Sequence, residues 1–346
     1  MGAEGESDFA ELKRRVREAG LLERQPWWYV LSIGINALLL CLCLVCLAQF
    51  QLIWFQVLAG IVLAFVSGQL AFQVHDAGHN QMFARTRLNR LVGFLTLNGL
   101  LGASFAWWID DHTRHHAHPN QWDLDPDLDN GVMAFSTEQA FSRPWPLRWI
   151  VKYQAFLFVP LACLYTWSAH VNSILYLARH KFVSRRLEAI VLALHAAATI
   201  GLLVHLVGPW SALLVIAVQR TGTGLYLGLV FGTNHQGMPQ LTENVKLDYL
   251  RRQVLTTRNL RGGWFTDLLY GSLNLQIEHH LFPRMTRMNL RRARPIVKQF
   301  CAELAIPYHE TSVVESYREL LCFLHAVGKP LRQLEGRAPR QPHATQ

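Results

Sequence analysis

The stretch FQLIWFQVLAGIVLAFVSGQLAFQVHDAGH, residues 50–79, carries the reading that decides the fold. From Phe50 to Val74 no residue is charged, and roughly 20 mostly apolar residues suffice to cross a bilayer. His75 and His79 follow at once, four residues apart, so a helix continuing through them presents both on one face. Imidazole is the commonest metal ligand and binds as a neutral group. An apolar helix that ends in two of them predicts a metal site at the edge of a membrane.

Similar uncharged runs cover 27–48, 91–109, 153–178 and 189–208, and a last one, 210–234, is interrupted only by Arg220. The first is too long for a signal peptide and lacks a small-residue cleavage site behind it. The six cysteines suggest no disulfide framework; Cys43 and Cys46 lie inside an apolar run and read as small hydrophobes. A formal charge of +9 in such a chain points to anionic lipid headgroups rather than nucleic acid. The residues from Glu335 onward, with Pro339 and Pro342, read as a loose tail.

Basic residues tend to remain on the cytoplasmic side. Lys13, Arg14, Arg15, Arg17 and Arg24 precede the first run, Arg85, Arg87 and Arg90 follow the second, and Arg179, Lys181, Arg185 and Arg186 precede 189–208. The junctions at Gln49 and at Gly208-Pro209 are short and uncharged. Four spans in two hairpins follow, at about 27–48, 50–74, 189–208 and 210–234, with both turns outside. The run 91–109 must then lie in the interface or dip and return, because a full crossing would put HDAGH and the next histidine cluster on opposite faces. The run 153–178, with Pro160 and His170, does not cross either. Arg220 falls near mid-membrane, where charge is costly. The expected architecture is all-α: a cytoplasmic segment 1–26, a membrane domain 27–300 with interfacial helices and a cytoplasmic cap carrying the metal site, and a C-terminal extension 301–346.

Two further clusters lie on the same side. HTRHH supplies His112, His115 and His116 at i, i+3 and i+4, read as one continuous imidazole face; His118 points off it. QIEHH supplies Gln276, His279 and His280 in the same spacing, and His235 ends the run 210–234. Gln276 is a weaker donor, able to offer a carbonyl oxygen or hold a water. In HDAGH the glutamate of a zinc-hydrolase H-E-x-x-H is replaced by Asp76, which is better suited to orient a neighbouring imidazole. Asp111 and Asn234 are assigned the same orienting role. Eight imidazoles exceed one zinc site; two metals with four or five ligands each would use them, and dioxygen chemistry favours iron. Trp107 and Trp108 are candidate walls of an apolar tunnel for a substrate. Arg258, Arg261, Arg287 and Arg291, in basic clusters flanking QIEHH, are candidates for contact with a substrate phosphate or an acidic partner protein. His170, His195, His205, His309 and His325 have no partners at useful spacing and read as structural.

HDAGH, HTRHH and QIEHH, with their contexts WWIDDHTRHHAHPN and LNLQIEHHLFP, resemble the three histidine boxes of the membrane fatty acid desaturases over about residues 28–300. Glutamine at position 276 resembles the front-end enzymes, which insert a double bond between an existing one and the carboxyl end, and some sphingolipid desaturases. The resemblance implies a di-iron centre on His75, His79, His112, His115, His116, His235, His279 and His280, and oxygen-dependent removal of two hydrogens from a CoA- or lipid-linked acyl chain. It also implies a multi-pass protein of a bacterial plasma membrane or an endoplasmic reticulum, with the active site cytoplasmic. Many front-end enzymes carry a fused cytochrome b5 domain with an HPGG motif; none occurs in this sequence, so electrons are expected from a separate ferredoxin or cytochrome b5 with its reductase. The alternatives are a fatty acyl or sphingolipid hydroxylase on the same scaffold, an intramembrane zinc hydrolase, and a non-enzymatic metal- or sterol-binding protein.

Overall fold

The computed structural model describes residues 2–129 and 131–335; the tail expected from Glu335 lies, apart from Glu335 itself, outside the described residues. Sixteen α-helices follow in chain order among them. The first five are α1 (Gly2–Glu18), α2 (Pro26–Gln49), α3 (Ile53–Gly78), α4 (Thr86–Phe94), which runs on into a π-helical turn Leu95–Leu101, and α5 (Phe105–Ala117). Then come α6 (Thr137–Ser142), α7 (Leu147–Lys152), α8 (Phe158–Cys163), α9 (Tyr165–Arg179), α10 (Arg185–Val207), α11 (Pro209–His235) and α12 (Tyr249–Leu255). The remainder are α13 (Trp264–Tyr270), α14 (Gln276–Leu281), α15 (Arg287–Glu303) and α16 (Val313–Glu335).

The all-α expectation needs one correction. Three-residue strands β1 (Asn259–Arg261) and β2 (Glu310–Ser312) pair in parallel, Asn259 opposite Glu310. They tie the segment before α14 to the segment before α16, and three residues carry too little periodicity to be read from sequence.

Four helices, α2, α3, α10 and α11, are long and apolar enough to cross a membrane, and they match the four spans expected from the uncharged runs. Their outward faces are apolar: Leu31, Leu38, Ile190 and Leu194 are all more than half exposed, as lipid-facing side chains must be. The run 91–109 is broken. The helix from Thr86 to Leu101 and the helix α5 meet at 117° across a short break, so the segment turns back. The run 153–178 is divided at Leu164 into α8, which holds Pro160 in its first turn, and α9, neither among the helices long enough to span.

The central pair is α3 and α11, which pack along their length. A Cβ added at Gly68 would lie 2.3 Å from the Tyr226 ring, so only glycine admits this approach. Both helices end in histidine, His75 at the end of α3 and His235 at the end of α11, and because these ends meet, the two helices run in the same direction.

Below those ends lies an apolar core shared by α1, α12, α14 and α15: Leu12 and Val16 of α1 are fully buried against Leu250, Leu275, Ile277 and Leu281. Leucine and valine at i and i+4 give α1 its inward stripe, while Arg14 pairs outward with Glu11 and Glu18. Leu12→Ala removes a buried side chain from the floor of α14 and is expected to destabilise the protein by about 2–4 kcal/mol, read as a lower midpoint of thermal unfolding.

Candidate metal centre

All eight clustered imidazoles converge. His75, His79, His112, His116 and His279 place one ring nitrogen each within 4.8 Å of one another, and His115, His235 and His280 form a second group by the same measure. Nε2 atoms face Nε2 atoms: 3.1 Å for His75 and His279, 2.8 Å for His79 and His112, 3.0 Å for His116 and His279, and 3.3 Å for His115 and His235.

The expectation that His112, His115 and His116 form one face is corrected here. His112 and His116, four apart, join the five-membered group, whereas His115 joins the other. Neighbouring residues on a helix diverge by about 100°, so an adjacent pair reaches two centres rather than one. His279 and His280 divide in the same way. The eight imidazoles thus gather as five and three, with Gln276 beside the smaller group. The rings of His116 and His280 stack at 4.2 Å between the groups.

The outer nitrogens explain why the inner ones point inward. His115 Nδ1 donates to Asp125 at 2.9 Å, His235 Nδ1 to the Thr256 carbonyl at 3.2 Å, and His280 Nδ1 to the Gln253 side-chain oxygen at 2.9 Å. With Nδ1 carrying the proton, the neutral ring turns a bare Nε2 lone pair inward. Nitrogen donors gathered in this way, His115 after loss of its second ring proton, fit a metal ion. His75 Nδ1 meets Asp76 at 3.2 Å in the same fashion. Burial lowers the basicity of His112, His116, His279 and His280 and keeps them in the ligating form. At His115 burial acts the same way, but Asp125 and Asp127 outweigh it and push the pKa up to about 9.

Gln276 lies beside the three-histidine group, its Nε2 3.0 Å from His235 Nε2, and its Oε1 is buried with no hydrogen-bond partner. His118 stays outside both groups and contacts Gln121. Trp108 stacks on His112 at 4.6 Å, and a Cβ at Gly78 would come within 2.4 Å of its ring, which accounts for the glycine in HDAGH. Trp107 is half-buried beside it. Asp111 sits 3.4 Å from Arg114 and touches no site imidazole among the described contacts. Asn234 is buried beside His235 with both side-chain polar atoms unpartnered.

Two of the arginines assigned to substrate or donor contact lie inside the protein. Arg287 is buried and bonds Asp76 at 2.5 Å and the Phe72 carbonyl at 2.8 Å, so it completes a relay from Arg287 through Asp76 to His75. Arg258 is fully buried and bonds Glu319 and the Gln236 carbonyl. Both were misread because a basic residue in a polar stretch resembles a surface residue until its acidic partner, distant in sequence, is placed. Arg261 and Arg291 remain accessible, Arg291 paired with Asp267 at 2.5 Å and Arg261 reaching the Glu310 carbonyl at 3.3 Å.

Several supporting residues have no signal in the sequence. Gln253 accepts from His280 and donates to the His116 carbonyl at 3.1 Å, joining HTRHH to QIEHH. Arg252 caps the end of α5 through the Ala117 carbonyl at 3.0 Å. Glu278, fully buried, accepts from Asn259 at 2.7 Å and Tyr308 at 2.6 Å and fixes α14 to β1; burial raises its pKa to about 7. Asp125 alone had a cue, the acidic run DLDPDLD just after HTRHH.

A family model described as fatty acid desaturase matches residues 52–312. The chain is 29% identical to an acyl-lipid (9-3)-desaturase of Physcomitrium patens, covering 98% of this chain and 64% of that protein. It is 28% identical to a Delta(8)-fatty-acid desaturase of Helianthus annuus, over 96% of this chain and 76% of the relative. A Delta(8)-fatty-acid desaturase of Euglena gracilis is 30% identical, over 93% and 78%. The chain thus spans less than two thirds of the moss relative and about three quarters of the other two. It belongs to the fatty acid desaturase family.

Removing one member of a buried ion pair leaves the other charge unsolvated, at a cost of about 3–5 kcal/mol. Arg287→Met is therefore expected to lower stability by that amount, and adding Asp76→Asn to recover at least half of it. Thermal unfolding of the two single variants and the double variant checks the coupling.

Proposed function

We propose that this chain is an oxygen-dependent fatty acyl desaturase of front-end type, built on two iron ions. The observation that carries this reading is the convergence of eight imidazole rings from four chain segments, with the outer nitrogens of His75, His115, His235 and His280 engaged elsewhere. The five-histidine group would hold one ion and His115, His235 and His280 the other, with Gln276 offering its unpartnered oxygen to the second ion or to a water. The names of the relatives, with their (9-3) and Delta(8) positions, support insertion of the double bond on the carboxyl side of the chain.

Irons bound in these groups supply the dioxygen activation that cleavage of an unactivated C–H bond requires. The protein's own work is positional. Asp125, Asp76, Gln253 and the Thr256 carbonyl fix ring tautomers and orientations, and second partners of this kind raise ligand basicity. Trp108 wedges HTRHH against HDAGH. The substrate loses one hydrogen from each of two adjacent methylenes, and two electrons from a separate donor, a ferredoxin or cytochrome b5 with its reductase, together with two protons from solvent, complete the reduction of dioxygen to two waters. The acyl chain is carried by CoA or by a lipid.

The same reading gives the topology: α2–α3 and α10–α11 as hairpins with their short junctions outside, and the metal centre with the basic flanks in a cytoplasmic cap of a plasma or endoplasmic reticulum membrane. Short uncharged junctions and the arginines at positions 85, 87, 185 and 186 support this orientation.

His116→Ala is expected to abolish desaturation and lower bound iron below two per chain while the protein remains inserted; His118→Ala retains both. Metal analysis of the purified variants, with gas chromatography of cellular acyl chains, provides the check. Wild-type product from the His116 variant would defeat the assignment. Asp125→Ala is expected to weaken metal binding about 10–100-fold. Turnover persisting without oxygen or reductant would exclude an oxidase, and an alcohol as the product would convert the reading to a hydroxylase.

A further inference from the structure

The break between α4 and α5 leaves two helix ends inside the protein. At the first, the helix running from Thr86 through the π-turn to Leu101 closes on Gly102 in the left-handed region. Its carbonyls lack intrahelical partners, as at any helix C-terminus. Arg220 donates to the Leu101 carbonyl at 2.7 Å, His195 Nδ1 to the Gly99 carbonyl at 2.9 Å, and His170 Nε2 lies 3.2 Å from the same Leu101 oxygen. Arg220 also donates to His195 Nε2 at 3.1 Å. Among the described residues Arg220 has no carboxylate partner within salt-bridge distance.

At the second end, α5 begins after Ser104. Glu188, only 2% exposed, accepts from the Ala106 amide at 3.2 Å, from Ser104 Oγ at 2.5 Å and from Asn98 at 3.2 Å. Asn98 in turn accepts from the Phe105 amide at 3.1 Å, and Ser173 from the Ser104 amide at 2.9 Å. One half-buried cation thus meets a helix C-terminus and one buried anion meets a helix N-terminus, the sense in which a helix dipole is stabilised. Both charges come from membrane helices, Glu188 from the first turn of α10 and Arg220 from α11.

Depth reinforces the point. Fifteen residues separate Arg220 from His235, about 22 Å along a helix axis. The helical segment from Thr86 to Leu101 has a comparable length before it turns. Backbone at that depth must be satisfied by protein, since lipid offers nothing.

We infer that Arg220 and Glu188 are positioning residues: their opposite charges clamp the two helix ends of the re-entrant segment and thereby set where α5 presents His112, His115 and His116. The inference rests on the proposed assignment of those histidines as metal ligands. It also gives the mid-membrane arginine a function without invoking a ligand. The cavity of 290 Å³ lined by Gly102, His170, His195, Ile216 and Arg220 is the space left beside the clamp.

The test is a cobalt(II) titration of the full chain in nanodiscs, read by the d–d absorption of the bound ion, in E188Q, R220M and the charge-retaining E188D and R220K. The neutral variants are expected to bind cobalt about tenfold more weakly, the loss of a favourable partly buried charge at a helix end, and to show an altered d–d envelope. The charge-retaining variants should stay within about threefold of wild type. Wild-type affinity and spectrum in both neutral variants would overturn the inference. Equal losses in E188Q and E188D, or in R220M and R220K, would also overturn it, since packing rather than charge would then be responsible. If a neutral variant does not accumulate, S104A and H195F, which each remove two hydrogen bonds at one of the helix ends, are read instead; unchanged spectra in both would be fatal. Failure of the wild-type chain to bind cobalt would refute the ligand assignment itself, which keeps the two claims distinguishable.

Discussion

The structure depends on the close approach of eight imidazole rings and on what is arranged to hold them there. Rings from α3, α5, α11 and α14 gather in two groups with their nitrogens within a few ångströms. Such a gathering of nitrogen donors suits a cation in the middle of each group. Everything around it works to keep the rings from turning away: the Asp125 carboxylate, the Gln253 amide and the Thr256 carbonyl take the outer protons, and Arg287 neutralises the Asp76 that meets His75. A buried relay of this kind gives little net stability, because desolvating both charges offsets most of their attraction. Its effect is on orientation.

The bilayer imposes a second constraint on the same rings. Only helices that satisfy their own backbone can face lipid, so the apolar outer surfaces of α2 and α10 follow directly from composition. Glu188 and Arg220, with Asn98 and Ser104, gather where the backbone turns without continuing a helix, while the uncharged Gln69, Gln73 and Gln219 bond between the long helices themselves. The opposite charges of Glu188 and Arg220 thus meet at one irregular segment, the segment that leads into HTRHH.

Much of this was legible from residue order. The uncharged runs gave the four long helices nearly to their ends, and the run 91–109, expected to lie in the interface or dip and return, is bent by 117°. The histidines were identified because their i, i+3 and i+4 spacings are local. What stayed hidden depends on contacts remote in sequence. Arg287 and Arg258 looked like surface charge because Asp76 and Glu319 are 211 and 61 residues away. Gln253 and Tyr308 gave no signal, since a glutamine or tyrosine in a polar stretch has many uses. The division of His115 from His116 followed from ordinary helical geometry, and was missed because spacing was read as a single face instead of as an angle.

That division has a mechanical consequence. His115 and His116 belong to different groups yet share one peptide bond, and so do His279 and His280. The interval between the two groups is therefore set twice over by covalent geometry, independently of lipid thickness or of how the long helices tilt. A twist of α5 that drew one ring toward its centre would swing its neighbour away from the other, so neither centre can be tuned alone. The pair behaves as a single rigid gauge, spanned by two dipeptides.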